Sequence, residues 1–367
     1  MSPALDLAVG PLGDSGSHSK VSFERLVWAP DGRSIAVFSS ALEESEKSPS
    51  PGLFPVIRVL EAGTWKETRS RDVPPALVSP VVAAWSPEST SLAIAEDGLL
   101  IKWNLQGGDD TAYSIDPGAP LAIRWVGEDS SSDVDVLAMS RTDASIRVVS
   151  TPSGEAWHWD LPDPPTWAAW SPDGSRLACI STTHGQLGEP LSRLWLFEGP
   201  QDSAQPAGVG WLDLPGGVVE NPGWTDPWSP DGRQIAIAVE ALRDDFCYLV
   251  VWDGSGEPRV RTLELGPLGL FGARWNQDET IISATTGTHI LLFDERSLEL
   301  QQTLPSFFAF PSPTEASDSP TLDTGSLSIL GFTRSHGWSP DGSWLIAGNV
   351  GGIRVWDPTE IRVLQTV

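Results

Sequence analysis

One five-residue string, Trp-Ser-Pro-Asp-Gly, begins at Trp170, at Trp228 and again at Trp338, and it constrains the fold more than any other feature of the chain. Looser copies begin at Trp28 (Trp-Ala-Pro-Asp-Gly), Trp85 (Trp-Ser-Pro-Glu-Ser), Trp125 (Trp-Val-Gly-Glu-Asp) and Trp275 (Trp-Asn-Gln-Asp-Glu), giving seven anchors spaced 40 to 63 residues apart. Proline pre-sets the first bend of a type I turn, aspartate suits the next position, and glycine supplies the left-handed residue that a hairpin with a G1 bulge requires. A tryptophan just before such a turn offers a large flat ring to fill the gap between stacked sheets. Each anchor therefore reads as the end of one strand and the start of a hairpin.

Short apolar, strand-prone runs follow the anchors at 176–180, 234–239, 280–284 and 344–347, and a second set follows at 193–197, 248–253, 289–294 and 353–357. Each repeat divides into four strands, a to d, which in the fourth repeat are 166–171, 176–181, 193–197 and 210–214. Seven four-stranded antiparallel sheets, apolar on both faces, close into a ring without a long exposed edge. The expected fold is all-β, a single seven-bladed β-propeller over residues 21–367, preceded by an N-terminal segment at 1–20. Two segments compete for the outermost place in the last blade: 361–366, and 4–9, whose Leu-Asp-Leu repeats that of 212–214.

The Trp-Ser-Pro-Asp-Gly turn, the Leu-Ala strand after it and the dipeptides Trp252-Asp253 and Trp356-Asp357 resemble the WD40 and TolB-like propeller repeats, with Phe293-Asp294 and Trp103-Asn104 as softer versions. That resemblance implies a WD-repeat propeller, and closure by strand exchange if the N-terminal segment takes the last place. No Gly-His dipeptide precedes a strand a, so the buried Asp-His-Ser/Thr-Trp network of eukaryotic WD40 repeats is expected to be mostly absent.

With 49 acidic residues against 23 basic ones the formal charge is -26, which repels nucleic-acid backbones and anionic lipid. The fitting partner is a protein or peptide of basic or apolar surface, met either alone or within a larger complex. Cys179 and Cys247 read as free buried thiols. The first twenty residues lack a signal peptide and no later run spans a membrane, so a cytoplasmic protein is expected.

Chemical motifs are sparse. The five histidines show no metal-ligand spacing, no glycine-rich phosphate cradle occurs, and neither a metal nor a cofactor is expected. The Gly-Asp-Ser-Gly at 13–16 resembles a protease nucleophile segment but precedes the first blade. Asp129, Asp133 and Asp135 read as a solvated acidic loop, and His336 as a packing or hydrogen-bonding residue. The residues leading into the a strands show few paired carboxylates or basic clusters, so no catalytic residue is assigned.

Loop parity then points to a surface. In an antiparallel blade the a–b and c–d loops share one face of the disc, and the b–c and d–a loops share the other. Insertions concentrate on the second face, where binding loops on a rigid scaffold belong. They carry Glu43, Glu44, Leu53 and Phe54 (42–55), His184 (183–192), Trp224 (215–227), Asp244 and Asp245 (240–246), and Phe307, Phe308 and Phe310 (305–337). Aromatic anchors beside carboxylates suit a protein-binding rim. The expectation is a non-catalytic scaffold for protein–protein interaction; the alternatives are a ligand- or peptide-sensing module with an aromatic pocket, and an enzyme with charged residues converging at the channel mouth.

Overall fold

In a computed structural model of the chain the repeated turn takes the same form wherever it is described. Gly32, Gly174, Gly232 and Gly342 all sit at φ 69°, and in the looser copies Ser89 (φ 61°) and Glu279 (φ 55°) hold the left-handed position without glycine. The loop is one residue longer than the G1-bulge hairpin expected from the sequence, because the closing bond runs from Ser171 N–H to the Arg176 carbonyl (2.9 Å). The return bond goes to a side chain: Arg176 N–H donates to Ser171 Oγ (2.9 Å), whose hydroxyl donates to Asp173 Oδ1 (2.6 Å). Asp173 Oδ1 also accepts the Ser175 N–H at 3.0 Å. Serine and aspartate thus satisfy the loop from inside, and Ser229 and Ser339 repeat the arrangement. Asn276 does the same work with Oδ1, while Ala29 has no side-chain oxygen to offer.

The structure describes residues 5–7, 20–42, 53–72, 82–96, 98–115, 119–126, 133–139, 144–151, 156–161, 163–184, 190–198, 208–215, 217–218, 226–241, 246–265, 269–286, 289–305, 335–349 and 352–357. After β1 (Leu5–Leu7), blade one is β2 (Lys20–Trp28), β3 (Ser34–Leu42), β4 (Leu53–Glu61) and β5 (Glu67–Asp72). Blade two is β6 (Val82–Trp85), β7 (Ser91–Glu96), β8 (Leu99–Asn104) and β9 (Thr111–Ser114). Blade three is β10 (Ala119–Val126), β11 (Asp133–Met139), β12 (Ser145–Thr151) and β13 (Ala156–Asp160). Blade four is β14 (Pro165–Trp170), β15 (Arg176–His184), β16 (Pro190–Glu198) and β17 (Gly208–Asp213). Blade five is β18 (Gly217–Val218), β19 (Ile235–Ala241), β20 (Phe246–Trp252) and β21 (Arg259–Glu264), with Trp228 bridging to Ile235. Blade six is β22 (Phe271–Trp275), β23 (Ile281–Thr285), β24 (His289–Asp294) and β25 (Leu300–Pro305). Blade seven is β26 (Ser335–Trp338), β27 (Leu345–Asn349) and β28 (Gly352–Trp356), and β1 completes it. All seven sheets are four-stranded and antiparallel, as the repeat requires.

Alternation along the strands puts apolar side chains on both faces of each blade. In β15, Leu177 and Cys179 pack toward blade three while Ala178 and Ile180 pack toward blade five. The buried residues accordingly fall into seven clusters, one at each blade-to-blade interface. The core is a ring and not a central ball.

Closure is made by the N-terminal segment, since Leu5, Asp6 and Leu7 pair with Val355, Arg354 and Ile353 on the outer edge of β28. The rival segment, 361–366, lies outside the described residues. Across the same seam Trp65 packs edge-on against Trp28 (centroids 6.2 Å apart) and Trp344 (5.9 Å), adding an aromatic clasp between blades seven and one.

Candidate functional site

The two faces of the disc are unequal because strands b and c differ in length from blade to blade. Beside the a–b turns the ladders start flush, at Ser34↔Glu61, Ser91↔Asn104, Arg176↔Glu198 and Ile281↔Asp294. At the other end they stop at Glu96↔Leu99 in blade two and Thr285↔Ile290 in blade six, but run on to Leu42↔Leu53 in blade one and His184↔Pro190 in blade four. Three or four extra residues carry these two hairpins roughly 10 Å further, at about 3.3 Å per residue. Several stretches expected as loop are therefore strand. Thr183, His184 and 190–192 belong to a ladder, Glu240 and Ala241 end β19, Gly217–Val218 is the start of blade five, and Ser335–Gly337 forms most of β26. The cross-strand partners of these residues extend the existing sheets, which local reading of a loop-like sequence missed.

Of the residues assigned to the partner surface, Leu53 and Phe54 stand at the start of β4, and His184 ends β15. The pairing Ala41↔Phe54 and the pairing His184↔Pro190 place them on the projecting hairpins of blades one and four. Glu43, Glu44, Trp224, Asp244, Asp245, Phe307, Phe308 and Phe310 lie outside the described residues.

The anchors bind neighbouring blades together by more than their ring area. Trp85, Trp125, Trp228 and Trp275 each donate the indole N–H to the carbonyl of the residue just before the preceding described anchor. The acceptors are Val27 (2.9 Å), Ala84 (3.1 Å), Ala169 (3.2 Å) and Pro227 (3.0 Å). Trp338 reaches the equivalent carbonyl through a hydroxyl: its N–H donates to Ser283 Oγ (3.0 Å), which donates to the Arg274 carbonyl (3.2 Å). His336, fully buried, completes this junction with Nε2 2.9 Å from Ser283 Oγ. Because the serine proton is committed to the Arg274 carbonyl, Nε2 carries the hydrogen and donates. Burial, and then the nearby Arg274, lowers the imidazole pKa to about 3, so the ring is neutral. This is the packing and hydrogen-bonding role expected of His336, and it is the reverse of a nucleophile–base pair, in which the imidazole would accept the serine proton.

Two charged groups depart from the sequence reading. Asp135 is no solvated loop residue: it is buried in β11, where Oδ2 takes a two-pronged contact from Arg124 (Nε 2.9 Å, Nη2 2.8 Å) and Oδ1 accepts Ser150 Oγ at 2.6 Å. Arg124 also stacks on Trp170 of blade four, 4.2 Å from the ring centroid, and donates to the Gly174 carbonyl at 2.8 Å.

The second departure is a set of charged residues just ahead of three anchors. Arg25 on β2, Arg274 on β22 and Asp226 just ahead of Trp228 act on one another electrostatically although they come from blades one, six and five. Blades one and five are not neighbours around the ring, so such groups meet only across its axis. Burial lowers both guanidinium pKa values to about 10, in Arg25 with help from Arg274, and raises that of Asp226 against the pull of Arg274 and Arg25. The Arg25 and Arg274 side chains are nonetheless only half-buried, and Asp226 is exposed. The residues leading into the a strands read as holding few paired carboxylates or basic clusters. The signal available in the sequence was alignment on the anchors: Arg25, Asp226, Arg274 and His336 all lie within three residues ahead of one, on the innermost part of a blade.

Cys179 and Cys247 are both free and buried, and burial pushes the Cys179 thiol far above its usual range. Among the described residues no group of histidine, cysteine and carboxylate side chains is arranged to hold a metal, and no helix is long and apolar enough to cross a membrane.

Comparison with solved structures agrees with this architecture. The crystal structure of the Cps50 (Swd1) β-propeller domain of Myceliophteria thermophila superposes with a TM-score of 0.56 at 12% identity, over 97% of this chain and 98% of that one. The fold is that of a seven-bladed β-propeller. In all 748 solved chains match, so the likeness identifies an architecture and leaves the activity to be argued from the site. No family model matches the sequence, and neither does any curated protein.

Proposed function

We propose that the protein is a non-catalytic interaction scaffold that binds a protein or peptide partner, of basic or apolar surface, on the face carrying the b–c and d–a connections. The observation that carries this reading is the one-sided extension of the blades. The a–b ends are flush and closed by self-satisfied turns, whereas the hairpins of blades one and four project from the opposite face. A rigid ring with raised edges presents a concave surface whose rim is set by backbone hydrogen bonds, so binding there costs little ordering entropy. Leu53, Phe54 and His184 are placed on those hairpins, and Glu43, Glu44, Trp224, Asp244, Asp245, Phe307, Phe308 and Phe310 belong to the connections of the same face. The net charge of -26 favours basic partners and speeds their approach. The Ser283–His336 geometry gives no support to an enzyme of hydrolase type. On this reading the protein works in the cytoplasm, within a larger complex.

The test is affinity purification of the tagged protein from its native cells. It is run beside a variant in which 306–334 is replaced by a Gly/Ser linker, which leaves β25 and β26 whole, and beside the triple change of Phe307, Phe308 and Phe310 to serine. A stoichiometric protein partner that is lost in both variants, with their melting temperatures kept, is the expected outcome. Equal recovery with all three forms would remove this face from the proposal, and failure to recover any partner would remove the scaffold reading itself.

A further inference from the structure

Trp211, on the outer strand of blade four, is 54% exposed, more than any other large apolar side chain among the described residues. The exposed ring is nevertheless held in place. The Arg193 guanidinium stacks on it, 4.2 Å from the ring centroid, and Arg193 Nε donates to Asp213 Oδ1 at 2.7 Å. Trp195 tilts against the same ring with centroids 6.3 Å apart, and is itself fixed by its indole bond to Ser181 Oγ (2.9 Å) and by stacking on Phe197. The opposite side of β17 is backed by blade five, since a Cβ on Gly210 would lie only 3.0 Å from the Gly254 carbonyl. An indole held in this way loses little freedom when a ligand covers it.

The strand that carries the ring also has backbone to offer. β17 is the last strand of its sheet, and among the described strands none pairs with its outer edge. Leu214 N–H donates to the Ser192 carbonyl (2.9 Å), and bonded pairs alternate with non-bonded ones along an antiparallel ladder. The pairs Trp195↔Trp211 and Arg193↔Asp213 are therefore the non-bonded ones, so Trp211 and Asp213 turn their N–H and C=O groups to the open edge. The outer strands β5, with Glu67, Arg69, Arg71 and Asp72, and β21, with Arg259, Arg261 and Glu264, carry charges of the kind that guard an edge against pairing. In β17 the sole charged residue is Asp213.

We propose that an extended apolar and basic segment of a partner protein adds to β17 as a fifth strand of blade four, laying an apolar side chain on Trp211 and a lysine or arginine beside Asp213. In strand addition the main-chain bonds supply affinity and alternate side chains supply specificity. Asp213 is 53% exposed and the chain carries a formal charge of -26, so a basic strand is attracted, whereas a second copy of this chain would bring like charge. The surface is the outer rim of the ring and not the face of the b–c and d–a connections, so the inference stands apart from the reading above.

The test is selection from a displayed library of random dodecapeptides on the immobilised protein at physiological salt, followed by fluorescence anisotropy with the labelled consensus peptide. Enrichment of sequences that alternate apolar with basic residues is expected, with one-to-one binding of that peptide. Trp211→Ala should weaken binding roughly tenfold or more, as removal of an aromatic anchor does, and Trp211→Phe should keep most of it. Asp213→Pro should weaken it more than Asp213→Ala, because proline also removes an outward N–H while leaving the bonds to β16 in place. Methylating alternate amide nitrogens of the peptide should abolish binding in one phase of methylation and spare it in the other. This last arm uses the unaltered protein, so it decides even where a variant does not fold. The proposal is overturned if no peptide is enriched, if the Trp211→Ala and Asp213→Pro variants bind like the unaltered protein, or if both methylated peptides bind like the parent. Dimerisation seen by light scattering and abolished by the same variants would also overturn it, assigning the edge to a second copy of the chain.

Discussion

Replacing Asp135 by alanine isolates the charge pair that joins strands a and b of blade three and reaches blade four. The substitution removes both Arg124 contacts (2.9 and 2.8 Å) and the acceptor of the Ser150 hydroxyl (2.6 Å). Losing one partner of a buried ion pair typically costs about 3 to 5 kcal/mol. Here the lower end applies, because Arg124 is 23% exposed and keeps its bond to the Gly174 carbonyl and its stacking on Trp170. About 3 kcal/mol is expected, equivalent to a fall in Tm of roughly 4 °C if the ring unfolds as a unit, from an entropy near 2.1 cal/mol/K per residue. Arg124→Met should cost more, about 4 kcal/mol, since it strands a carboxylate that is 2% exposed. The double variant should cost well below the sum of the two single changes, because an apolar pair leaves no charge behind. The assay is equilibrium urea unfolding of the four proteins as a double-mutant cycle. A D135A cost under about 0.5 kcal/mol, or a coupling energy near zero, would refute the claim that this pair ties the blades together.

Other predictions follow from the turns and the buried histidine. Ser89→Gly should stabilise by about 1 kcal/mol and Gly232→Ala should destabilise by about 1 to 2 kcal/mol, because both positions hold left-handed backbone; thermal melts read both, and opposite signs would sink the argument. Ala29→Ser should add the hydroxyl that the other turns use and gain about 1 kcal/mol, while Ser229→Ala should lose about that much, measured by urea midpoint. His336, with a folded pKa of about 3 against 6.5, stays neutral while the unfolded chain protonates. Its contribution is complete above pH 6.5 and falls as pH drops through the window toward 3, amounting to about 2 kcal/mol by pH 5. A stability profile flat from pH 7 to 5, or one that His336→Gln does not flatten, would contradict this.

Seven anchors, their turns and the strands that follow them were legible because each is a local matter. A Pro-Asp-Gly run bends the chain wherever it occurs, and alternating apolar residues make a strand buried on two faces. Even here the sequence fell one residue short on the hairpin, since the serine hydroxyl replaces a ladder bond that residue spacing alone predicts. The projecting hairpins read as loops in the sequence because their residues carry no strong strand signal; they are strands because a partner extends the ladder, as His184 does with Pro190.

By itself the sequence determined the number of blades, the order of strands within them, the positions of the tight turns and the acidic character of the whole. Tertiary structure decided the rest. It chose the N-terminal Leu5–Leu7 over the competing tail at the edge of β28, a pairing between residues nearly the whole chain apart. It set Asp135 against Arg124, gave the anchor indoles their carbonyl acceptors one blade away, and brought Arg25, Asp226 and Arg274 within electrostatic reach of one another. The division has a single physical cause. Turn geometry and side-chain alternation act over a few residues and are written locally, whereas ring closure brings together groups whose proximity no local spacing encodes.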